Sequence, residues 1–347
     1  MKTIPLLEPL ADDLDRVERR MREPVHASPS GGPDNPQLTA VLQHLLDSGG
    51  KPLRPSLALL AGSFYRADPD KLVSLAASVE MLHTATLVHD DLIDGSLLRR
   101  GNTTLNAQWS SGATVLTGDY LFARSAALAA DTDNVRVMAL FADTLMSICS
   151  GELRQILDRA EVPRLDSEQA WETALDRYDQ RIHAKTASLF ALATEAAAVL
   201  GSAPEAQMSA LRNYGYLLGT GFQIVDDVLD FQGDQEALGK PVGSDLREGI
   251  VTLPVLYFLR DHPDDVRVAA VVRADRTHGN GVRMDGSDDG LVRDVVATIR
   301  ESGAVAQAME RAREFITMSQ TALAPLPDTE YRSIMIALAD YTISRQK

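Results

Sequence analysis

Apolar residues in this chain recur at helical spacing almost wherever they recur at all. Leu72, Leu75, Ala76, Val79, Leu82 and Thr86 follow one another at steps of three and four, the stripe that one face of an α-helix buries. The same period runs through Val137 to Ile156, Leu211 to Leu229 and Ile299 to Leu323. The alternating β-branched runs of a strand are nearly absent. This spacing predicts an all-α fold of ten or more helices. They would form a single large bundle over residues 1–347, not two domains. The punctuation agrees. Pro55 stands near the start of a run that ends by Phe64-Tyr65, Asp68-Pro69 opens the next, and Gly201 and Gly233 follow long periodic stretches, as helix starts and stops do. Residues 273–290, RADRTHGNGVRMDGSDDG, are charged, glycine-rich and without apolar period; they read as a surface loop.

The formal charge of −15 argues against a nucleic-acid partner, whose phosphates attract basic surfaces. One cysteine, Cys149, excludes a disulfide framework and a multi-thiolate metal site, and fits a reducing cytoplasm. The N-terminal MKTIPLLEPLADDLDR turns acidic before an apolar signal region forms. The longest apolar run, Leu189 to Leu200, is short and holds Thr194 and Glu195, so no transmembrane segment is expected.

Two segments resemble each other: LVHDDLID at 87–94 and IVDDVLD at 224–230. Each carries Asp-Asp-x-x-Asp inside an apolar helical pattern. With 49 acidic residues in 347, about one such acidic match arises by chance, so a single copy carries no weight. Three other Asp pairs act as controls. Asp12-Asp13, Asp264-Asp265 and Asp288-Asp289 have Arg16, Val268 and Val292 at the third position, in polar surroundings. In the full motifs, Asp90 with Asp94 and Asp226 with Asp230 share one helix face at i, i+4, where like charges repel. Among apolar neighbours that arrangement is costly without a cation. Hard divalent cations such as Mg²⁺ take carboxylate oxygens and complete their shell with waters and substrate phosphates.

Basic residues stand near both motifs: Lys51 and Arg54 in GGKPLRP, Arg99 and Arg100 in DGSLLRRG, Lys185 in AKTASLF and Lys240 in LGKPVGSD. A metal site alone does not need them. A phosphate-rich substrate bridging metal and Lys/Arg does. No GxxxxGK[ST] loop is present, so this is not a P-loop nucleotide site.

With these motifs the sequence resembles the trans-prenyltransferase, or polyprenyl diphosphate synthase, family. The resemblance rests on DDLID followed by RRG, and on GGKPLRP, EMLHTATLVHDD, GDYLFA, SGELRQ, AKTASLF, GFQIVDDVLD and GKPVGSDLREGIVTLP in that order. It covers roughly residues 48–260, with SGAVAQA and DYTISR beyond. It implies an all-α, isoprenoid synthase-like bundle around a central cavity, with the two Asp motifs across its mouth. Up to three Mg²⁺ ions would lie between the allylic diphosphate and Asp90, Asp94 and Asp226, with Asp91, Asp227 and Asp230 near them. Arg99, Lys185, Gln223 and Lys240 match allylic-diphosphate positions, with Thr186 beside them. Lys51, Arg54, His83 and Arg100 match the isopentenyl diphosphate site. His89 is read as a structural histidine. The resemblance also implies a homodimer.

Two positions depart from the pattern: Pro52 and Ile250 stand where the family often has Arg and Lys. The second removes one possible cation near the second acidic motif. The chemistry implied is ionisation of the allylic diphosphate, attack by the isopentenyl double bond and loss of a proton. Charge building on the departing diphosphate is stabilised electrostatically. A class I terpene cyclase would carry an Asn/Ser/Glu second motif in place of DDVLD. An HD-type phosphohydrolase would need a histidine cluster, and a noncatalytic partner subunit would be expected to lack an Asp motif. A short-chain farnesyl or geranylgeranyl synthase is the nearer alternative. Short-chain relatives commonly place an aromatic ring four or five residues before the first Asp; here Thr86 and Ala85 are small. Leu82 and Val79 lie further down that side, Val79 roughly 16 Å from Asp90 at 1.5 Å per residue. The wall one turn below Asp90 is therefore open, and the first motif lacks the two-residue insertion of many short-chain relatives; the expected product is longer than four isoprene units, on the order of six to ten, as in a quinone side chain, and Ala85→Phe is expected to shorten it.

Overall fold

The computed structural model describes residues 5–23, 36–47, 50–99, 101–158, 161–232, 242–274 and 287–345. Contacts divide the chain into two compact units. Unit 1 comprises Met1–Leu145, Leu189–Gly215 and Gln320–Leu338, and unit 2 comprises Met146–Ser188, Tyr216–Ser319 and Ala339–Lys347. The chain is all-α: among the described residues the only strands are the two-residue β1 (Leu98–Arg99) and β2 (Asn102–Thr103), paired antiparallel. Long-period apolar sequence, rather than high helix propensity, accounts for this, since helices in proteins gain most of their stability from a buried face.

In unit 1 a short 3₁₀ turn (Pro5–Leu10) leads into α1 (Ala11–Arg22), α2 (Pro36–Asp47), α3 (Leu53–Gly62) and α4 (Pro69–Ile93). After the hairpin come α5 (Leu105–Gln108), α6 (Ser111–Ala130) and the start of α7 (Val135–Asp158). The Asp68 carboxylate accepts N–H groups of Asp70 and Lys71 at 2.9 and 3.4 Å and Pro69 takes the first helical position, so the Asp-Pro start forms as its chemistry dictates. α4 packs on α6. Ser78 Oγ donates to the Ser125 carbonyl at 2.8 Å, and the His89 ring lies 3.2 Å from the Val115 carbonyl and 5.1 Å from the Phe122 ring. Gly118 makes room for it: a Cβ there would stand 2.1 Å from His89 Nε2. His89 is thus structural.

α4 also corrects the reading of apolar runs. By length and composition it, and not Leu189–Leu200, is apolar enough to cross a membrane, yet 67% of that window is buried inside the protein. Leu189–Leu200 lies in α9 (Ser188–Leu200), which is followed in the same unit by the first half of α10 (Glu205–Gln232). These two helices touch at Gly215. A Cβ there would lie 2.5 Å from the Phe190 carbonyl oxygen and from Thr194 Oγ1, and 2.9 Å from Ala191 Cα. Gly215→Ala is expected to destabilise by about 1–3 kcal/mol, the cost of overpacking a rigid contact. A chemical-denaturation midpoint equal to wild type would contradict the close approach.

Unit 2 holds the end of α7, α8 (Glu168–Ile182), a π-helical turn (His183–Ala187), the second half of α10, α11 (Ser244–Arg247), α12 (Leu253–Asp261), α13 (Val266–Ala274) and α14 (Ser287–Glu301). Its core includes Ile224, Val228, Phe231, Phe258, Val272 and Ile299. The apolar period over Ile299–Leu323 is not one helix. α14 stops at Glu301, Gly303 adopts φ +85°, and α15 (Ala304–Ala322) begins anew. α16 (Glu330–Ser344) ends the described fold. The expected loop 273–290 is shorter than its composition suggests. Arg273 and Ala274 end α13, Ser287–Gly290 begin α14, and 275–286 lie outside the described residues, as does Gly233.

Candidate active site

Both acidic motifs sit at the C-terminal ends of long helices, α4 of 25 residues and α10 of 28. The carbonyl end of a helix carries partial negative charge, so carboxylates there are disfavoured unless a cation joins them. In unit 1, Asp90 and Asp91 occupy the last turn of α4 and are buried, 9% and 7% exposed. Asp94 caps the helix, its N–H donating to the Asp90 carbonyl at 2.8 Å. The β1–β2 hairpin, with Gly101 at φ +81°, a conformation suited to glycine, brings Arg99 back to the motif. Arg99 Nε donates to Asp91 Oδ1 at 2.7 Å.

Lys51, Arg54, His83, Asp91 and Arg99 line one pocket of about 90 Å³. The guanidinium of Arg54 lies 4.8 Å from the Phe190 ring centroid, a cation–π contact. The structure thus brings together the described members of the expected isopentenyl diphosphate set. It places Arg99, expected on the allylic side, in the same pocket. Arg100 lies outside the described residues. Of the expected chain-length residues, Val79, Leu82 and Ala85 are fully buried, and none of the four lines this pocket. Ala85 stands seven residues after Ser78 and four before His89, on the stripe turned to α6. Thr86 is half-buried, its hydroxyl donating to the His83 carbonyl at 2.8 Å.

In unit 2 the second motif is built around Asp227, only 3% exposed. Gln223 Nε2 donates to its Oδ1 at 2.9 Å and the Tyr178 hydroxyl to its Oδ2 at 2.7 Å. Thr186 Oγ1 donates in turn to Gln223 Oε1 at 2.6 Å. Burial raises the Asp227 carboxyl to about 6, against the pull of these two donors and of the Arg181 charge. Thr186, Gln223 and Asp227, expected as ligand contacts, therefore engage one another. Thr186 belongs to the π-helical turn, as does Lys185, whose Nζ is 2.7 Å from Glu152 Oε1. Such turns recur at functional sites because they re-aim side chains.

Asp230 accepts Ser244 Oγ and the N–H groups of Ser244 and Asp245 at 2.7, 3.1 and 3.2 Å, which ties α10 to the start of α11. Asp226 pairs with Arg345 at 2.8 Å. The Arg345 guanidinium lies 3.6 Å from the Phe222 ring centroid. Lys240 lies outside the described residues. Among the described residues no three His, Cys, Asp or Glu side chains form a ready metal cage. Mg²⁺ does not need one, since one or two carboxylates, waters and substrate phosphates usually hold it.

No sequence motif assigns a role to Tyr178, Glu152, Arg181 or Arg345. Glu152 stands in SGELRQ and Arg345 in DYTISR, segments that carry the family resemblance. Tyr178 and Arg181 lie in the helix just before AKTASLF.

Residues 35–283 match the family model described as polyprenyl synthetase. The chain is 37% identical over 332 residues to heptaprenyl diphosphate synthase component 2 of Geobacillus stearothermophilus, covering 96% of this chain and 95% of that protein. It is 33% identical over 346 residues to octaprenyl diphosphate synthase of Haemophilus influenzae, covering 99% and 98%. Its structure is similar, with TM-score 0.83, 34% identity and coverage of 99% and 97%, to polyprenyl synthase from Caulobacter crescentus CB15 complexed with calcium and isoprenyl diphosphate.

Proposed function

The chain belongs to the polyprenyl synthetase family, and we propose that it is an all-trans polyprenyl diphosphate synthase making a long-chain product. The observation that carries the reading is the pair of Asp-Asp-x-x-Asp motifs at helix C-termini, each accompanied by basic side chains. The heptaprenyl and octaprenyl synthases it resembles across nearly the whole chain support a long-chain product. The short-chain alternative has less support.

The substrates are isopentenyl diphosphate and an allylic diphosphate. Lys51, Arg54 and His83, with Arg100, hold the first; Lys185 and Lys240 hold the diphosphate of the second. Each acidic motif suits Mg²⁺, offering hard carboxylate oxygens in an otherwise costly place; Asp90 and Asp94 in unit 1 and Asp226 in unit 2 are the ligands that the family resemblance implies. Bound there, Mg²⁺ would supply charge neutralisation on the leaving diphosphate. The protein's share is to bind both diphosphates, align the isopentenyl double bond with the allylic carbon and exclude water. The C–O bond breaks, the C–C bond forms and a proton leaves. Asp227, with both oxygens occupied by donors, acts as a buried support for its neighbours.

Site division is tested kinetically. Arg54→Ala is expected mainly to raise KM for isopentenyl diphosphate and Lys185→Ala that for the allylic substrate. A lost ionic contact to phosphate costs about 1.5–3 kcal/mol, or roughly ten- to a hundredfold. Exchanged phenotypes would overturn the assignment. For product length, Ala85 is too enclosed for a clean test, since it is fully buried and a ring there must displace its neighbours. Thr86→Phe is expected to shorten the product while condensation continues; chromatography showing unchanged length would count against it.

The reading extends to a single catalytic domain, α7, α10, α15 and α16 each contributing residues to both units. It places α4 as a core helix rather than a membrane span, in a cytoplasmic homodimer. Exposed Leu116 and Val135 in unit 1, and Met146, Leu153 and Leu157 in unit 2, supply apolar surface for a second copy. Light scattering at micromolar concentration is expected to give the mass of two chains, and a monomer would argue otherwise.

A further inference from the structure

Unit 2 contains a cavity of about 940 Å³ whose walls include Tyr178, Arg181, His183, Ile250 and Val251. Its other arginines have company or lie at the surface. Arg154 donates to Gln180 Oε1 at 2.7 Å, Arg164 is 3.1 Å from Asp166 and Arg177 3.6 Å from Glu161; Arg273 is exposed at the end of α13. Arg181 is different. It is half-buried, and no carboxylate lies within ion-pair distance of it among the described residues. One of its N–H groups donates to the Val251 carbonyl at 2.7 Å, and its guanidinium carbon lies 5.4 Å from the Tyr178 ring centroid.

A guanidinium has five N–H donors in a fixed fork suited to phosphate. Withdrawn charges of this kind are normally paired. The Val251 carbonyl uses one donor and no charge. Burial pushes the His183 ring toward its neutral form. Ile250, next to the carbonyl that Arg181 holds, brings no cation. Through Tyr178, one turn earlier on α8, Arg181 adjoins the Asp227 network. Lys185, from the turn that follows α8, belongs to the same unit.

We propose that Arg181 binds the diphosphate of the allylic substrate from the α8 wall, supplying the positive charge that the 249–252 segment, with Ile250, does not bring. This rests on the synthase reading above and adds to it a residue outside the expected set.

The experiment uses the full chain in Mg²⁺ buffer, with inorganic diphosphate titrated calorimetrically and steady-state kinetics run in parallel. Arg181→Ala is expected to weaken diphosphate binding and raise KM for the allylic substrate about ten- to a hundredfold, with KM for isopentenyl diphosphate unchanged. Arg181→Gln keeps an N–H for the Val251 carbonyl but not the charge, and is expected to behave like the alanine variant. In the alanine background, Ile250→Lys is expected to restore most of the binding by returning a cation to the same cavity. Wild-type binding in Arg181→Gln, or no recovery in Arg181→Ala/Ile250→Lys, would overturn the proposal, because a residue that only holds the loop gives that pattern. Arg181-dependent diphosphate binding in a wild type that elongates no substrate would leave this inference standing and defeat the synthase reading. Elongation by wild type with undiminished binding in both Arg181 variants would do the reverse.

Discussion

Replacing Asp226 by alanine is expected to lower turnover by about 10³-fold or more while the protein stays folded, and Asp90→Ala is expected to do the same. Loss of one preorganised electrostatic contact costs about 10²–10³ in kcat, and a metal-ligand carboxylate contributes more than one such contact. The folded state should tolerate the change at Asp226, which is 42% exposed on its side chain. Its partner Arg345 keeps the Phe222 ring, the Phe222 carbonyl at 2.7 Å and the Thr342 carbonyl at 3.2 Å. Helical circular dichroism should match wild type. Near-normal turnover of either variant in Mg²⁺ buffer would remove the acidic motifs from the mechanism.

Asp227→Asn is expected to differ in kind, lowering stability as well as turnover. Both Asp227 oxygens accept from donors, Gln223 Nε2 and the Tyr178 hydroxyl. An asparagine offers one acceptor and one NH₂; the Tyr178 hydroxyl can turn to accept from that NH₂, but its own hydrogen then has no acceptor in a buried place. Leaving such a group unsatisfied costs about 1–3 kcal/mol. Rotating the Gln223 amide does not repair it, because its oxygen already accepts from Thr186. The acidity of Asp227 gives an opposing, pH-dependent contribution. Its carboxyl is raised to about 6, so the folded state holds a proton more tightly than the unfolded one. The charged form is therefore a liability that grows as pH rises from the ordinary carboxylate range to about 6, and is constant above that. Asparagine lacks this liability. Relative to wild type, the variant should be most destabilised at acid pH and less so at pH 7. Urea midpoints measured at pH 4.5 and pH 7 test the sign; a deficit that is larger at pH 7 would contradict the assigned network.

The fold was legible wherever one face of a helix is apolar. Asp68-Pro69 opens α4 because an Asp carboxylate caps backbone N–H groups and proline loses nothing at the first position. Periodicity failed where it continues across a break: Ile299–Leu323 keeps its spacing through Ser302-Gly303, and only the positive φ of Gly303 ends the helix. Composition failed at Ser287–Gly290, which is polar yet helical. The two acidic motifs were legible because each is local, five residues on one helix. Their surroundings were not. The bond from Tyr178 to Asp227 spans 49 positions and the Arg181 bond to Val251 spans 70, and no spacing rule reaches that far. The same limit applies to Ala85. Counting residues from Asp90 gives its depth along α4, but not that Ala85 is fully buried on the face that also carries Ser78 and His89.

The central claim is chain elongation, and product analysis tests it most directly. The purified protein is incubated in Mg²⁺ buffer with excess radiolabelled isopentenyl diphosphate and an allylic diphosphate primer, and the products are separated by length. The account predicts successive additions that continue past the short-chain lengths and accumulate in the long-chain range of the heptaprenyl and octaprenyl synthases the chain resembles. Accumulation at three or four units under the same excess would contradict the long-chain assignment, and release of diphosphate with no elongated product would contradict the synthase assignment itself.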